Sequence, residues 1–411
     1  MLSNARMVAI KLIVMALATF ASLILVELTL RVFPSLISVS ILAQMEPGIR
    51  GQIAGRLGLP TIESAMPITT EMRSDKGPPF QLPGANSLTV TPADKADLSL
   101  GAIELVQVDK NGLCNEQQKA IAAKADILVS GDSFTFCTAV KLEDTAASRL
   151  QGISHATVYN LGVRGVGPNE YLEMLKLYAP IFQPKIAVMN IFEGNDLRGV
   201  RDNIKFHEGK WDLPKRHHAP NEENKQSPRS YALQVISAGV KLAKHRLQKK
   251  TEFNFRYSAT LNGKSYDMNI NNADQDEVRF AFMLEEKKVD LNTFGPPMKN
   301  FVDWANEKGI VPVVTYIPSM YTAYQQTIMF QDAHVGRAVQ ALSAAQRAWF
   351  SENAKVLKYK FVDLTPQFQA AGSAGGITHF PSNVHLTPLG HEIVAKGTFD
   401  LIRSEVALRG G

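Results

Sequence analysis

The sequence carries little net charge for its length. Its 411 residues include 44 Lys and Arg against 39 Asp and Glu, which leaves a formal net charge of +5. Proteins that bind nucleic acids usually present a strongly basic surface. The composition gives no support to a nucleic-acid partner, and we expect none.

The sequence has no internal repeat or low-complexity tract, and it shows no set of metal ligands at a suitable spacing. The pair His217 and His218 lacks a third ligand at a suitable spacing, whereas a zinc site needs at least three protein ligands. We therefore assign no metal and no other cofactor.

Cysteine is limited to two residues, Cys114 and Cys137. In an exported domain such a pair can oxidise to a disulfide. The bond would join the segment before the predicted core to the helix predicted over about 135–152. Two unrelated buried thiols are the alternative.

Apolar residues, in contrast, are plentiful. Hydrophobic residues make up 45% of the chain and charged residues 20%, which is ordinary for a globular protein. The length fits one large domain or two smaller ones.

The longest apolar stretch lies near the N-terminus, from Met7 to Val32. It has no charged residue between Leu12 and Val26, and it is long enough for the roughly 20 residues that cross a bilayer core. Because Arg6 and Lys11 precede it, the N-terminus is predicted to stay in the cytoplasm while the rest is exported.

This stretch has two alternative interpretations. A cleaved signal peptide is one, because Ala16-Leu17-Ala18 resembles a cleavage site, although the apolar run continues well past it. A buried core helix is the other. We predict a retained transmembrane anchor over residues 1–34, with the membrane as partner of residues 7–32.

Two regions lack the pattern of a folded core. Residues 35–120 are rich in Pro, Gly, Ser and Thr and contain one weak strand pattern at Ala102–Val108. We predict that they form a stalk and an N-terminal extension. Residues 201–289 carry no core-strand pattern and are predicted to be an insertion that forms a lid or a wall of the substrate cleft.

The insertion is basic in its first half. Between Arg201 and Lys250 there are twelve Lys and Arg against five Asp and Glu, and Val235–Leu247 has the pattern of an amphipathic basic helix. A basic cleft wall would suit an anionic polysaccharide or an anionic membrane surface. A solvated charged face is the alternative.

Residues 121–200 and 290–411 alternate between apolar strands and helical segments. Apolar strands separated by helices indicate a parallel sheet covered on both faces. The predicted strands are Asp126–Ser130, Val158–Asn160, Lys185–Phe192, Ile310–Ile317 and Lys360–Leu364, and the predicted helices cover about 135–152, 168–180, 294–308, 335–356 and 388–407.

Four short segments stand at the ends of these strands or before the last helix. They are Ser130–Thr135 (SGDSFT), Asn160–Gly167 (NLGVRGVG), Phe192–Asp196 (FEGND) and Ser382–His391 (SNVHLTPLGH).

Each segment supplies a residue type that acyl chemistry requires. Gly131 permits a sharp turn that places the Ser133 hydroxyl at the carboxyl edge of the sheet, and a helix starting there would stabilise developing negative charge. A helix cap is the alternative role of Ser133. Glycines in the second segment and an amide in the third can donate to a reacting oxygen, and a histidine in the fourth can act as base.

Taken together and in this order, the segments resemble those of the SGNH (GDSL) hydrolases. The resemblance implies an α/β fold, flavodoxin-like and three-layered (α/β/α), with a five-stranded parallel sheet. It implies Ser133 as nucleophile and His385 as base, with an oxyanion hole made by Ser133, Gly165 and Asn195. His391, inside the last helix, is the alternative base.

Two departures from the family pattern matter. Glu193 stands where the family usually has Gly in its GxND block, a small change because the three following residues remain. The family also places an Asp two or three residues before the His, whereas this chain has Asn383 and Ser382. A carboxylate there orients the imidazole, so Asn383, Ser382 or a backbone carbonyl becomes the candidate orienting group.

The resemblance is greatest to bacterial membrane-anchored members that act on acyl groups of polysaccharides. It implies a serine esterase acting on an O-acyl ester, most simply of a carbohydrate. It also implies a single-pass inner-membrane protein with a periplasmic or extracytoplasmic catalytic domain.

Two other functions stay open. The first is a cell-envelope polysaccharide O-acetyltransferase, which would need a membrane acyl-donor protein as partner. The second is a non-catalytic glycan-binding scaffold, suggested by the missing acid.

Overall fold

A computed structural model describes most of the predicted core. The described residues are 2–37, 41, 45, 49, 53, 56, 68–74, 77–83, 88–91, 104–109, 111–116, 124–138, 140–208, 230–248, 256–261, 263–269, 272–380 and 384–407. The chain divides into two compact units, one made of Met1–Ala65 with Lys215–Glu252 and the other of Met66–Pro214 with Phe253–Gly411.

The strands and helices are numbered in chain order. The strands are β1 (Ile68–Ser74), β2 (Gly77–Pro83), β3 (Leu88–Thr91), β4 (Glu104–Gln107), β5 (Ile127–Ser130), β6 (Val158–Asn160), β7 (Ile186–Phe192), β8 (Arg256–Leu261), β9 (Lys264–Asn269), β10 (Val311–Ile317), β11 (Ile328–Phe330) and β12 (Lys360–Asp363). The helices are α1 (Leu2–Val32), α2 (Ala146–Ser154), α3 (Pro168–Phe182), α4 (Asp196–His207), α5 (Tyr231–Gln248), α6 (Asn272–Glu285), α7 (Gly295–Glu307), α8 (Met320–Ala323), α9 (Ala333–Leu357), α10 (Thr365–Ser373) and α11 (Pro388–Ala407).

The larger unit is built on a five-stranded sheet with the order β12-β10-β7-β5-β6. All four strand pairs in it are parallel. If these five strands are numbered 1 to 5 in chain order and the sheet is read from β6, the order is 2-1-3-4-5, which is the flavodoxin-like arrangement. The prediction of a flavodoxin-like fold with a five-stranded parallel sheet is confirmed.

Both faces of the sheet are covered. Along β7, Ile186 and Val188 belong to one apolar cluster, whereas Ala187, Met189 and Ile191 belong to another. Successive side chains of a strand point to opposite faces, so the two clusters lie on opposite sides of the sheet. The burial explains why β7 reads as a continuous apolar run rather than an alternating one.

The prediction of a helix over 135–152 is wrong in its first half. Helix α2 begins at Ala146, where Thr145 accepts a hydrogen bond from the Ser148 N–H at 3.3 Å. Residues 133–138 form turns instead. The Thr135 carbonyl accepts from Asn160 Nδ2 at 2.8 Å, which takes up an acceptor that a continuing helix would use. The nucleophile segment therefore has no helix N-terminus behind it.

Outside the central sheet, the described strands form small antiparallel sheets. Strands β1 and β2 pair with each other, as do β3 and β4, and β8 pairs with both β9 and β11. The region predicted as an insertion thus contributes α5, β8, β9 and α6, and none of its described strands joins the central sheet. The domain boundaries themselves remain predictions, and His217 and His218 lie outside the described residues.

In the smaller unit, α1 and α5 are joined by polar contacts at Glu27. Its carboxylate accepts from Ser230 Oγ at 2.7 Å and from the Ala232 N–H at 2.8 Å. Arg31 pairs with Glu27 at 2.6 Å and lies over the Tyr231 ring at 5.0 Å. Glu27 therefore caps the N-terminus of α5, a position that favours negative charge.

A disulfide links Cys114 and Cys137, whose Cα atoms are 5.7 Å apart. It ties the segment after β4 to the turn that follows Ser133. Cys114, Cys137, Val108 and Phe136 form a small buried cluster around it.

A buried carboxyl at the start of α3 leads to a prediction about stability and pH. Glu170 is 6% exposed and accepts from the Gly167 N–H at 3.0 Å. Burial raises its pKa from 4.5 to about 7, although the hydrogen bonds of the helix start oppose the rise. Between these two values the native state holds a proton that the unfolded chain has lost. The free energy of unfolding should therefore fall as pH rises through this window, by up to about 3 kcal/mol.

Urea unfolding of the full chain in detergent, followed by tryptophan fluorescence at pH 4.5 to 8, checks this. Glu170→Gln keeps an acceptor for Gly167 but cannot ionise, so its curve should be flatter than that of the wild type. Parallel curves for the two proteins would contradict the prediction.

Candidate active site

Ser133 lies in the tight turn that follows β5. Its Oγ is 3.0 Å from Nε2 of His385, a hydrogen bond between residues 252 positions apart in the sequence. The turn is held by Asp132, whose carbonyl accepts from the Thr135 and Phe136 N–H groups at 3.1 and 3.0 Å. The fold therefore brings together the hydroxyl and the imidazole that were predicted as nucleophile and base.

Gly162 allows the second segment to approach the first, and Gly131 allows the first segment to turn tightly on itself. A Cβ on Gly131 would lie 2.1 Å from Thr135 Oγ1, and a Cβ on Gly162 would lie 2.5 Å from the Phe136 backbone nitrogen. Asn160 fixes the second segment, because its Oδ1 accepts from the Gly162 N–H at 2.8 Å. A side chain at Gly162 would push the loop after β6 away from the nucleophile turn, whereas one at Gly131 would collide with Thr135 inside that turn.

Gly165 lies further along this loop, before α3. Its φ is +71°, a conformation in which a residue with a side chain would be strained. The residue is exposed, so its backbone can be approached by a ligand. This fits its predicted role as an N–H donor, which stays a prediction.

The third segment follows β7, the strand beside β5. The order of the sheet reverses between β5 and β7, and ligands of open α/β sheets bind at such a switch point, beyond the carboxyl ends of the strands. Asn195 is half-buried there, and its side-chain hydrogen bond to the Asp132 carboxylate helps to hold the pKa of that carboxyl down. The Asn195 amide thus lies next to the residue that precedes Ser133.

Asp132, the residue directly before Ser133, is buried, with 1% of its surface exposed. Burial raises its pKa to about 6, opposed by hydrogen bonds from the Phe134 N–H and Asn195 and by the charge of Arg198. Its Oδ1 accepts from the Phe134 N–H at 2.8 Å. These contacts make Asp132 a positioning residue for the nucleophile turn.

His385 is presented by a short hairpin between α10 and α11. His379 and Leu386 form an antiparallel bridge, and the Phe380 N–H donates to the His385 carbonyl at 2.8 Å. Val384, just before the base, has a φ of +58°. A positive φ is a rare conformation for a β-branched residue and marks local strain, which concentrates at functional sites.

A buried tyrosine anchors the start of the hairpin. The hydroxyl oxygen of Tyr324 accepts from the backbone N–H groups of Thr378 and His379 at 2.7 and 2.9 Å. Tyr324 is 1% exposed, so it acts from the core rather than from a substrate surface.

The two other histidines near the hairpin have structural partners. His379 is fully buried, with Nε2 3.2 Å from the Pro318 carbonyl. His391, the alternative base, accepts from the Ala146 N–H through Nδ1 at 3.2 Å. Burial lowers the pKa of each to about 3, so both are neutral at physiological pH.

The candidate orienting residues Asn383 and Ser382 lie outside the described residues. Within the described part of the chain, no group of three or more His, Cys, Asp or Glu is arranged to hold a metal.

Glu193 is buried, accepting from Thr322 Oγ1 at 2.5 Å and from Ser319 Oγ at 3.5 Å. Burial raises the pKa of Glu193 above its ordinary value, and the hydrogen bond from Thr322 opposes the rise.

An aromatic stack supports the imidazole from one side. The ring of Phe134 lies between those of Phe192 and His385, with centroid distances of 3.4 and 4.9 Å and interplanar angles of 16° and 29°. Sequence analysis did not find this role. The only signal was an aromatic residue directly after Ser133, and the ring that it faces comes from a distant hairpin.

Removing this ring should slow turnover. An aromatic face stabilises a neighbouring cation by about 0.5 to 2 kcal/mol, and His385 becomes cationic when it takes the serine proton. Phe134→Leu should therefore lower kcat by about two- to thirtyfold with little change in KM. The matched control is Phe368→Leu, which truncates an aromatic residue of the same apolar cluster whose ring is tilted against that of His379 at 5.4 Å and does not stack on His385. Equal losses in both variants would mean that Phe134 serves only packing.

No family model and no curated protein matches the chain. Similar solved structures include a protein assigned to the G-D-S-L lipolytic family from Desulfitobacterium hafniense DCB-2 (15% identity, TM-score 0.34, 68% of this chain and 99% of that one). Two others are a protein assigned as an acylhydrolase from Bacteroides fragilis NCTC 9343 (14%, 0.34, 71% and 93%) and an acetylxylan esterase from Geobacillus stearothermophilus (13%, 0.33, 68% and 95%).

The chain itself shows the strand order and the meeting of the Ser133 and His385 segments that the SGNH resemblance implies. The fold is the SGNH fold. The nucleophile turn, the glycine loop and the Asn195 segment all lie at one edge of the sheet, beyond β5, β6 and β7, as the SGNH pattern requires.

Proposed function

We propose that this chain is an extracytoplasmic serine esterase that hydrolyses an O-acyl ester, carried by a carbohydrate. One observation supports it most strongly, the 3.0 Å contact between Ser133 Oγ and His385 Nε2 at the carboxyl edge of the sheet. A nucleophile and base within hydrogen-bond reach are the geometric signature of activated serine.

The reaction follows from these positions. Ser133 Oγ attacks the ester carbonyl while His385 Nε2 takes its proton, and the carbonyl oxygen becomes an oxyanion. The C–O bond to the alcohol then breaks, and the imidazolium returns the proton to the leaving oxygen. Water attacks the acyl-enzyme with His385 again as base, which releases the carboxylic acid and restores Ser133.

The oxyanion would be held by donors on three loops. These are the N–H groups of Ser133 and Gly165 and the side-chain amide of Asn195. An amide nitrogen carries two protons, so Asn195 can donate one to Asp132 and the other to the oxyanion. Fixed donors of this kind are often the largest single contribution to catalysis.

A serine-directed fluorophosphonate tests the nucleophile. The wild-type chain should be labelled at Ser133 and Ser133→Ala should not, while Ser351→Ala, which removes an exposed serine of α9, should be labelled like the wild type. If the wild type reacts no better than Ser133→Ala, the enzymatic proposal fails and a binding protein becomes the better description.

Acetyl esters then separate hydrolysis from transfer. Acetate release from an acetylated sugar in water alone supports the esterase. Product that forms only when an acceptor glycan is added would instead identify an O-acetyltransferase.

We further propose that α1 is a retained membrane anchor. Within α1, Arg6–Val32 is an apolar span of 27 residues, and an 18-residue stretch of it has a mean hydropathy of 2.4. Phe20, Leu25 and Leu28, all beyond the Ala16–Ala18 signal-like site, are 65%, 66% and 55% exposed, so cleavage at that site would leave apolar side chains in water. The mass of the chain recovered from membranes tests this, since loss of about the first 18 residues would contradict a full anchor.

A further inference from the structure

Arg164 occupies the glycine loop immediately before Gly165. Its guanidinium carbon lies 4.6 Å from the centroid of the Phe136 ring. The side chain is half-buried, and its Nε is buried without a hydrogen-bond partner. Among the residues that the structure describes, no carboxylate pairs with it.

Among the described residues, Arg164 and Arg201 are the two partly buried arginines without a carboxylate partner, and Arg201, which lies over the Phe280 ring at 5.4 Å, donates to Met283 Sδ instead. Burial is the cause that lowers the pKa of Arg164, to about 10, so the group stays charged at neutral pH while losing hydration. A buried charge without a partner is costly. Three other partly buried arginines each have a carboxylate within 3.5 Å, and these pairs are Arg149–Asp144, Arg198–Asp276 and Arg347–Asp363.

Its position connects Arg164 to the reaction site. Phe136 belongs to the turn after Ser133, and Gly162 packs against the Phe136 backbone nitrogen. The stack thus holds the guanidinium beside both the nucleophile turn and the loop of the predicted oxyanion donor Gly165. The planar fork of arginine suits paired hydrogen bonds to a carboxylate or phosphate.

We propose that Arg164 binds an anionic group of the ester substrate, next to the bond that is cleaved. This inference rests on the proposed function of Ser133. The substrate anion would supply the missing counter-ion and accept hydrogen bonds from the guanidinium. The site would then select charged esters, such as those of an acidic sugar, over neutral ones of the same shape.

Matched ester pairs test the selection. Acetylated methyl glucuronide and acetylated methyl glucoside differ by a carboxylate on the alcohol part, and an aryl hemisuccinate and aryl butyrate differ by one on the acyl part. In at least one pair, the wild type should prefer the anionic ester by about tenfold or more in kcat/KM, and the responding pair identifies where the anion sits. Arg164→Gln should abolish that preference through KM and change the neutral ester little, whereas Arg164→Lys should retain part of it.

The control is Arg403→Gln. Arg403 also lies over an aromatic ring, that of Phe399 at 5.3 Å, but it has Asp400 as a partner at 2.5 Å. This variant should keep the wild-type preference. No preference by the wild type in either pair, or equal losses on charged and neutral esters in Arg164→Gln, would overturn the proposal.

Two readouts do not depend on turnover. Calorimetric binding of methyl glucuronide and of an aryl hemisuccinate to Ser133→Ala should show one of them bound, and the added Arg164→Gln change should weaken that binding about tenfold or more. If hydrolysis fails but this binding holds, the proposed function is wrong and the anion site stands. Absence of binding by both compounds overturns the site itself.

Thermal unfolding separates a binding role from a structural one. A partly buried arginine that waits for a ligand lowers the stability of the protein when no ligand is bound. Arg164→Met keeps the length of the side chain and removes the charge, so this variant should unfold at the same temperature as the wild type or higher. A lower unfolding temperature together with equal loss on all esters would assign Arg164 to the fold.

Discussion

Changing His385 to alanine should lower ester hydrolysis by about 10⁴- to 10⁶-fold, the largest effect expected from any single residue apart from Ser133. The reason is that the serine hydroxyl attacks only as its proton leaves, and His385 Nε2 is the base 3.0 Å away. The loss should appear in kcat, since binding of the ester does not need the base. It is measured from acetate release at saturating substrate, with fluorophosphonate labelling as a second readout.

The matched control is His334→Ala, which removes a half-exposed histidine paired with Glu285 at 2.8 Å. That variant should keep wild-type turnover. A His385→Ala variant that folds and hydrolyses within tenfold of the wild type would show that another base serves Ser133. His391 would then have to give up its bond to the Ala146 N–H.

The central sheet could be predicted from sequence because each of its strands is a short apolar run between helical segments. Burial on both faces makes such runs visible without any knowledge of the partners. The pairing of Ser133 with His385 was also predictable, because the first three segments follow parallel strands, which must end at one edge, and the fourth resembles the family segment that carries the base. Observed strands and predicted strands differ by one residue at most at either end.

What the sequence could not give are features set by tertiary contacts. The turn after Ser133 reads as a helix, and only the side chain of Asn160, which takes the Thr135 carbonyl, shows why no helix continues there. The stack of Phe134 on His385 joins residues about 250 positions apart in the sequence. The positive φ of Val384 lies in a hairpin that has no periodic sequence pattern. Arg164 gave no signal either, because whether a charged side chain has a partner among the described residues is a property of the folded surroundings.

Asn195→Ala should lower kcat by about 10²- to 10³-fold, the usual cost of removing one oxyanion donor. KM should change little, because the donor is used most strongly when the negative charge develops. The variant also loses the hydrogen bond that holds down the pKa of Asp132, so that pKa should rise further above 6. Acetate release across pH 5 to 9 measures both effects.

A double-mutant cycle with Asp132→Ala decides between the two roles of Asn195. As an oxyanion donor, Asn195 acts on the substrate, and its removal should cost about as much turnover in the Asp132→Ala background as in the wild type. If Asn195 acted only by positioning Asp132, its removal would cost nothing once that carboxylate is gone. Because Asp132 holds the Ser133 turn through the Phe134 N–H at 2.8 Å, its own substitution should slow the enzyme by displacing the nucleophile, and the cycle subtracts that loss. A loss of turnover by Asn195→Ala that persists in the background of the Asp132 variant is therefore assigned to the missing hydrogen bond to the reacting oxygen.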